Sequence, residues 1–215
     1  MVEASHLDTE HGGKHGEAIA RVLDAHAEPS GASRVAATRA RLPRRDSLRP
    51  VAFQLASAAT PHIVAVHLAW GAVNEWTTQA AYARLATLAG HPVLTELLRR
   101  IMRQEGRHID FYASRARQRL DSSATARRLT RWALRRWWAP VGSGVMPASE
   151  VRFLAGYLFS GTDGAAAAAR IDRRVDQLPG LAGLRLLAGA TGADVGAAGT
   201  GSQSTSRTGT TGLAA

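Results

Sequence analysis

The chain has 215 residues, enough for a single domain with a sizeable hydrophobic core. It contains no cysteine, which excludes disulfides and thiolate metal sites and leaves carboxylates and imidazoles as metal ligands. The formal net charge of +10 comes almost entirely from arginine, since Lys14 is the only lysine. This charge reflects either a coding bias toward arginine or an acidic partner, such as nucleic acid, anionic lipid or an acidic carrier protein.

The residue pattern favours an all-α protein from its first segment onward. Alanine and leucine dominate, and no run of alternating β-branched residues occurs. Residues 9–26 form the first predicted helix, with an apolar stripe at Ile19, Val22 and Leu23. Residues 27–49 connect it to the next helix. Because this linker is long for a simple bundle, we expect a crossover or a short extra helix within it.

The next predicted helix begins around Pro50 or at Thr60-Pro61, where Thr60 is a candidate N-cap, and it runs to Ala89 and stops at Gly90. Residues 51–73 carry no charged side chain, which meets the length criterion of a membrane span. Most of their bulk is alanine, however, and Pro61 would interrupt a longer helix. We therefore interpret this stretch as part of a buried helix in a soluble protein.

Five further helices are predicted in the second half of the chain. They lie at 92–120, 124–138, 147–161, 164–177 and just before residue 190. The first of them carries Glu105 and His108 within its apolar stripe. Residues 191–215 are almost wholly Gly, Ser, Thr and Ala, so we expect a disordered tail after a single helical domain at 1–190.

Three potential metal ligands are predicted to meet between the two long helices. Gly90-His91-Pro92 breaks the chain into an antiparallel hairpin, and Glu75 and Glu105 each lie fifteen residues from Gly90. At ~1.5 Å per residue both carboxylates stand ~22 Å from the turn. His108 follows Glu105 by three residues and shares its helix face. This is half of the carboxylate-bridged di-iron arrangement of four-helix proteins.

Glu75 is the only carboxylate on its predicted helix, which is apolar nearly all round. Burying an unpaired carboxylate costs on the order of several kcal/mol, so it requires a cation or a metal as its partner. The non-metal alternative is a buried salt bridge, for which the candidates are Arg84, Arg103 and Arg107. The matching height of Glu105 and His108 favours the metal.

The segments around these ligands resemble a known family. Glu75-Trp76-Thr77-Thr78 and Glu105-Gly106-Arg107-His108-Ile109-Asp110-Phe111-Tyr112 are similar to the second half of a soluble acyl carrier protein desaturase, a di-iron family of the ferritin-like superfamily. That family has a Glu with a Thr one turn later, then Glu-x-Arg-His and a Tyr four residues on. The resemblance implies an all-α, ferritin-like helical bundle with additional peripheral helices.

The resemblance also implies roles for the matching residues. Glu75, Glu105 and His108 would be iron ligands, and Thr78 would donate a hydrogen bond on the oxygen side of the site. Tyr112 falls on the tyrosine of the family.

Upstream, the segment 14–19 resembles the part of the family that contains its first Glu-x-x-His, which would make His15 a fourth ligand. Gly12 stands where that motif has its Glu, and the first ligand helix of the family has no counterpart before His15, so the N-terminal part is incomplete relative to the family. Four of the six family ligand positions are thus filled, two of them by carboxylates. The implied cofactor is iron, either in an incomplete di-iron site or as a single ion completed by water.

The predicted activity is oxygen-dependent oxidation of a fatty acyl chain by an iron-dependent oxidoreductase. The resemblance implies an acyl carrier protein or another acidic acyl carrier as partner, an electron donor such as ferredoxin, and a homodimer. The absence of cysteine fits a cytoplasmic location. The alternative is a non-catalytic ferritin-like protein with a degenerate or truncated metal site.

Residues 127–138 interleave three tryptophans with five arginines on a predicted helix. Such a helix lies on an anionic membrane surface, binds an acidic partner through its arginines, or packs its Trp and Leu face on the bundle with the arginines solvated. It is the surface through which the non-catalytic alternative would act. No motif typical of nucleic-acid-binding proteins is present, so no nucleic-acid partner is expected.

Overall fold

The computed structural model describes residues 15–41, 60–143 and 146–191; Gly12 and the predicted tail from residue 192 onward lie outside them. Eight helices lie within these ranges: α1 (15–25), α2 (Gly31–Ala40), α3 (Ile63–Ala89), α4 (Pro92–Asp121), α5 (Ala124–Trp137), α6 (Ala148–Phe159), α7 (Gly161–Asp176) and α8 (Leu186–Thr191). The same ranges contain no β-strand, so the predicted all-α helical bundle is confirmed. Among the residues described, no helix combines the length and apolar composition needed to span a bilayer.

Helix α3 is the centre of the bundle. It is apolar nearly all round, and Ala69, Ala72, Val73 and Trp76 are all buried. Helices α4, α5, α6 and α7 pack around it, and its contact with α4 is the most extensive in the described part of the chain. A helix without a polar face requires neighbours on all sides, which explains why α3 is the element around which the core forms.

The predicted hairpin of α3 and α4 is confirmed at its turn. Gly90 ends α3 with a φ of +58°, a left-handed conformation that glycine adopts without a steric penalty. Pro92 is the first residue of α4, and the His91 side chain accepts a hydrogen bond from the Leu94 amide at 3.1 Å. Gly90, which ends α3, and His91 and Pro92, which begin α4, together form the tight turn that places the two long helices side by side.

Further along the hairpin, a close approach of the two helices sets their spacing. The Tyr112 ring of α4 lies against Gly71 of α3, where an added Cβ would stand 2.5 Å from a ring carbon. The absence of a side chain at Gly71 lets the aromatic ring lie directly on the α3 backbone.

The structure contains the extra helix expected in the linker and shifts the starts of two other helices. The extra helix expected in the linker is α2. Helix α3 begins at Ile63, two residues after the later of its two predicted starts, because Thr60 forms a turn in which its hydroxyl accepts from the His62 amide at 3.3 Å. Helix α7 begins at Gly161, three residues earlier than predicted, because this glycine takes a φ of +69° and permits a sharp turn directly after α6.

Helix α1 lies antiparallel to α4 and contacts the hairpin at both of its ends. His15 contacts Glu105 near its start, and His26 contacts His91 near its end, with 3.0 Å between the two Nε2 atoms. The N-terminal helix therefore passes over the level of α4 at which the predicted ligands lie.

A buried carboxylate fixes the short helix at the end of the described chain. Asp172 of α7 accepts hydrogen bonds from the amides of Leu187 and Ala188, both at 3.0 Å. These amides belong to the first turn of α8 and have no partner within their own helix. Asp172 thus ties α8 to α7.

Candidate metal centre

Three of the predicted ligands come together between α3 and α4. Ligand atoms of Glu75, Glu105 and His108 all lie within 4.8 Å of one another. Each of the three residues is half-buried, and the Glu105 side chain is only 15% exposed. The equal distance of both glutamates from the turn therefore does place them at one level, as the hairpin arithmetic predicts.

The Glu105 carboxylate is held by two imidazoles. His108 Nδ1 lies 2.7 Å from one carboxylate oxygen, and His15 Nδ1 lies 3.0 Å from the other. An imidazole N–H that donates to a carboxylate fixes the direction of the oxygen lone pairs and the orientation of both groups. Glu105 is consequently the most constrained member of the cluster.

His15 reaches this cluster from a different helix. Its second ring nitrogen, Nε2, lies 2.9 Å from the side-chain oxygen of Gln104, so α4 residues engage both ring nitrogens. The structure places His15 against Glu105 and outside the group of three mutually close ligand atoms. These contacts suit a residue that positions the carboxylate. Its role as a fourth ligand stays a prediction.

Thr78, the predicted hydrogen-bond donor, lies on α3 one turn after Glu75 and is half-buried. The neighbouring hydroxyl along the helix, that of Thr77, is buried and donates to the Val73 carbonyl at 2.7 Å. Thr78 is thus the threonine of the pair that is not fully buried, and its predicted role is untested.

Tyr82 belongs to the site but was not predicted from the sequence. Burial raises the pKa of its phenol, and the negative charges of Glu105 and Glu75 raise it further. Tyr82 follows Glu75 by seven residues, two helical turns, which puts both on the face of α3 toward α4. That spacing is the signal in the sequence that could have identified it.

Because the pKa of Tyr82 lies above its ordinary value of 10.0, stability should fall at alkaline pH. Well below pH 10 the phenol is neutral in both the folded and the unfolded state. Above it, the unfolded chain releases the proton first, so the free energy of unfolding decreases by at most about 1.4 kcal/mol per pH unit. Tyr82→Phe should reduce this decrease in urea titrations between pH 9 and 11. Equal alkaline losses in wild type and Tyr82→Phe would contradict the assignment.

Two of the arginines considered as salt-bridge partners for Glu75 contact other groups. Arg84 Nε donates to the Leu158 carbonyl at 2.9 Å, and Arg103 lies 3.7 Å from Glu96. The third candidate, Arg107, is exposed on α4. The metal interpretation of Glu75 is supported by its proximity to Glu105 and His108, with ligand atoms of all three within 4.8 Å of one another.

The three tryptophans within α5 and directly after it divide between the core and the surface. Leu134 is buried, and Trp138 donates its indole N–H to Asn74 of α3 at 3.2 Å, as predicted for a helix packed on the bundle. Trp132 and Trp137 instead remain 52% and 48% exposed and contact each other edge to face, with ring centroids 4.4 Å apart. Of the three alternatives, packing on the bundle therefore describes Leu134 and Trp138 but not these two rings.

The chain was compared with known proteins at the levels of family, sequence and structure. No family model, curated protein or solved structure matches it. The likeness to the desaturases therefore rests on the motif residues, of which Glu75, Glu105 and His108 are the ones brought together.

The donor set fits one divalent ion of the iron or manganese type. Ligand atoms bound at about 2.0–2.2 Å lie at most about 4.4 Å apart across a metal, so a separation within 4.8 Å needs only small side-chain rotations. Two carboxylates offset the charge of one divalent ion, and oxygen ligands with one imidazole suit iron or manganese. Among the described residues the cluster holds these two carboxylates and no third.

Proposed function

We propose that this protein is a ferritin-like, iron-dependent oxidoreductase that holds a single ion at Glu75, Glu105 and His108 and oxidises a fatty acyl chain. The observation that supports the proposal is the meeting of two carboxylates and an imidazole within 4.8 Å at the half-buried interface of α3 and α4. The acyl substrate and the use of oxygen come from the resemblance to acyl carrier protein desaturases.

The residues around the ion would have separate roles in this proposal. Bound iron would supply the redox chemistry with dioxygen, which no side chain of this protein provides. Glu105 would hold the ion with its carboxylate oriented by His15, at 3.0 Å. Thr78 would donate a hydrogen bond on the oxygen side. The Tyr82 phenol, kept neutral by burial and by the two carboxylates, would be a proton donor beside the ligands.

The partners proposed for this activity are acidic. A net charge of +10 attracts an acidic acyl carrier protein and an acidic electron donor such as ferredoxin, and it raises their association rates at low salt. The exposed arginines of α5 offer a place for such a carrier to dock.

The proposal is tested by metal analysis of the purified protein. After anaerobic addition of iron(II) and removal of the excess, we expect one iron per chain by elemental analysis. Exposure to oxygen with a reductant and an acyl carrier protein bearing a saturated acyl chain should then give a product lighter by two hydrogens in mass spectrometry. Less than a tenth of an iron per chain would overturn the metal site; full iron without oxidised product would overturn the acyl activity alone.

A second candidate function is non-catalytic binding of an anionic surface through α5. Trp132 and Trp137 form an exposed aromatic pair, and Arg128, Arg135 and Arg136 are exposed on the same helix. Tryptophan prefers the headgroup region of a bilayer, and arginine binds lipid phosphates.

Sedimentation with vesicles containing anionic phosphatidylglycerol tests this candidate. We expect Trp132→Ser to weaken binding about tenfold or more, because the ring would no longer be inserted. Phe153→Ser, at a ring of α6 that is 74% exposed, serves as the control and should bind like wild type. Equal effects of the two substitutions, or no vesicle binding by the wild-type protein, would remove α5 as a membrane surface.

A further inference from the structure

A basic cleft lies between α3 and α7, beside the proposed metal centre. Its volume is about 600 Å³, within the range of sites for small organic ligands. Its lining residues include four arginines and, among the residues described, a single carboxylate, that of Asp163. A concave surface with an excess of three positive charges (four minus one) concentrates anions.

Arg84 is the least exposed cation of this cleft. Its side chain is 13% exposed; Nε donates to the Leu158 carbonyl at 2.9 Å, and one terminal nitrogen lies 3.7 Å from Asp163, whose own side chain is 85% exposed. A contact of this length to a solvated carboxylate compensates a buried charge only weakly. Since a guanidinium carries five N–H donors, Arg84 retains donors for an anionic ligand.

The other three arginines come from one helix. Arg170, Arg173 and Arg174 lie on α7 at spacings of three and four residues and are all exposed. Positive side chains at these spacings share a helix face and repel one another. A bound oxyanion relieves that repulsion, and planar guanidinium groups match its oxygens in pairs.

The rest of the cleft lining is mostly apolar. The Trp76 side chain, Ile171 and several alanines of α3 and α7 line it. A lining that combines arginines with apolar side chains is complementary to a molecule with an anionic head and a hydrocarbon part. An inorganic anion alone would leave the apolar side chains without a contact.

We propose that this cleft binds an organic oxyanion, with its phosphate or carboxylate head on Arg84 and the α7 arginines and its apolar part against Trp76 and Ile171. The cleft does not require the metal. None of Glu75, Glu105 and His108 lines the cleft; Gln79, one turn after Glu75, does, and its side-chain amide donates to the Met102 carbonyl of α4 at 3.4 Å.

Calorimetric titration of the metal-free, full-length protein tests the proposal, with octyl phosphate, octanoate and inorganic phosphate as probes. We expect octyl phosphate or octanoate to bind at least tenfold more tightly than inorganic phosphate. The tighter of the two identifies the head group. Binding should weaken as salt is added. Equal affinities for octyl and inorganic phosphate, or no binding of either octyl probe at millimolar concentration, would overturn the proposal.

A pair of double variants locates the site. Arg170→Gln with Arg173→Gln removes two exposed charges of the cleft and should weaken binding of the tighter octyl probe on the order of tenfold or more. Arg117→Gln with Arg119→Gln removes the same charge from exposed positions on α4, outside the cleft lining, and should leave binding unchanged. Equal losses in both double variants would show that the probe follows net charge, and would overturn the cleft as its site.

Discussion

Replacing Glu105 by glutamine should lower the affinity for iron(II) or manganese(II) by at least about 100-fold. Loss of an outer hydrogen-bond partner of a metal ligand costs roughly 10- to 100-fold in affinity, and Glu105 is proposed as a ligand itself. The amide removes one of the two negative charges that offset the ion. Equilibrium dialysis with manganese(II), which does not oxidise during the measurement, gives the two affinities directly.

Thermal unfolding separates this effect from damage to the fold. Without metal, the amide oxygen of the Glu105→Gln variant would still accept a hydrogen bond from one histidine, and the repulsion between two neighbouring carboxylates would be removed. We therefore expect little change in melting temperature. Metal at 100 times its dissociation constant should stabilise the wild type by about 2.7 kcal/mol, roughly 5–10 °C in a protein of this size. It should not stabilise the variant.

Glu96→Gln is the matched control for Glu105→Gln. It makes the same change on the same helix, at an exposed carboxylate that pairs with Arg100 at 2.8 Å. Its metal affinity should equal that of the wild type. A Glu105→Gln variant that keeps wild-type affinity, or a Glu96→Gln variant that loses it, would rule out the cluster as the binding site.

The meeting of Glu75, Glu105 and His108 was predictable because it depends on two local sequence signals and one distance along the chain. Gly90 and Pro92 mark the turn, and helical rise converts equal sequence distance from that turn into equal height. The pairing of Glu75 with Glu105 follows without knowledge of any other helix. The desaturase resemblance used the same residues, and its finer implications for His15 and Thr78 depend on contacts that the hairpin alone does not determine.

The arginine cleft and the exposed aromatic pair were not predictable in this way. Arg84 and the α7 arginines are more than eighty residues apart, and only the packing of α7 on α3 brings them together. On an ideal helix Trp137 lies ~140° round the axis from Trp132, on the same side as Ala133. Because Ala133 is buried, this position predicts that Trp137 is buried as well. It is the last residue of α5, however, and remains 48% exposed. The periodicity of a sequence predicts which face of a helix is buried, but not at which residue along the helix the surrounding core ends.

The position of α7, on which the cleft depends, should be highly sensitive to a side chain at Gly164. A Cβ added there would overlap the backbone carbonyl of Phe159 and stand 2.7 Å from its Cα. Backbone atoms cannot rotate away as a side chain does, so α6 and α7 would have to separate. We expect Gly164→Ala to lower the free energy of unfolding by about 3 kcal/mol, within the range for overpacked sites.

Gly156→Ala makes the same substitution on α6, at an exposed position with no atom within 4 Å of the added Cβ. Alanine is the better helix former, so this variant should gain about 0.5–1 kcal/mol. In calorimetric scans Gly164→Ala should melt roughly 6–12 °C below the wild type and Gly156→Ala slightly above it. If both variants melt within about 2 °C of the wild type, the α6–α7 junction is less tightly packed than the close approach at Gly164 requires. The octyl probes would then have to bind Gly164→Ala as they bind the wild type, because the arginines of α7 would not have moved.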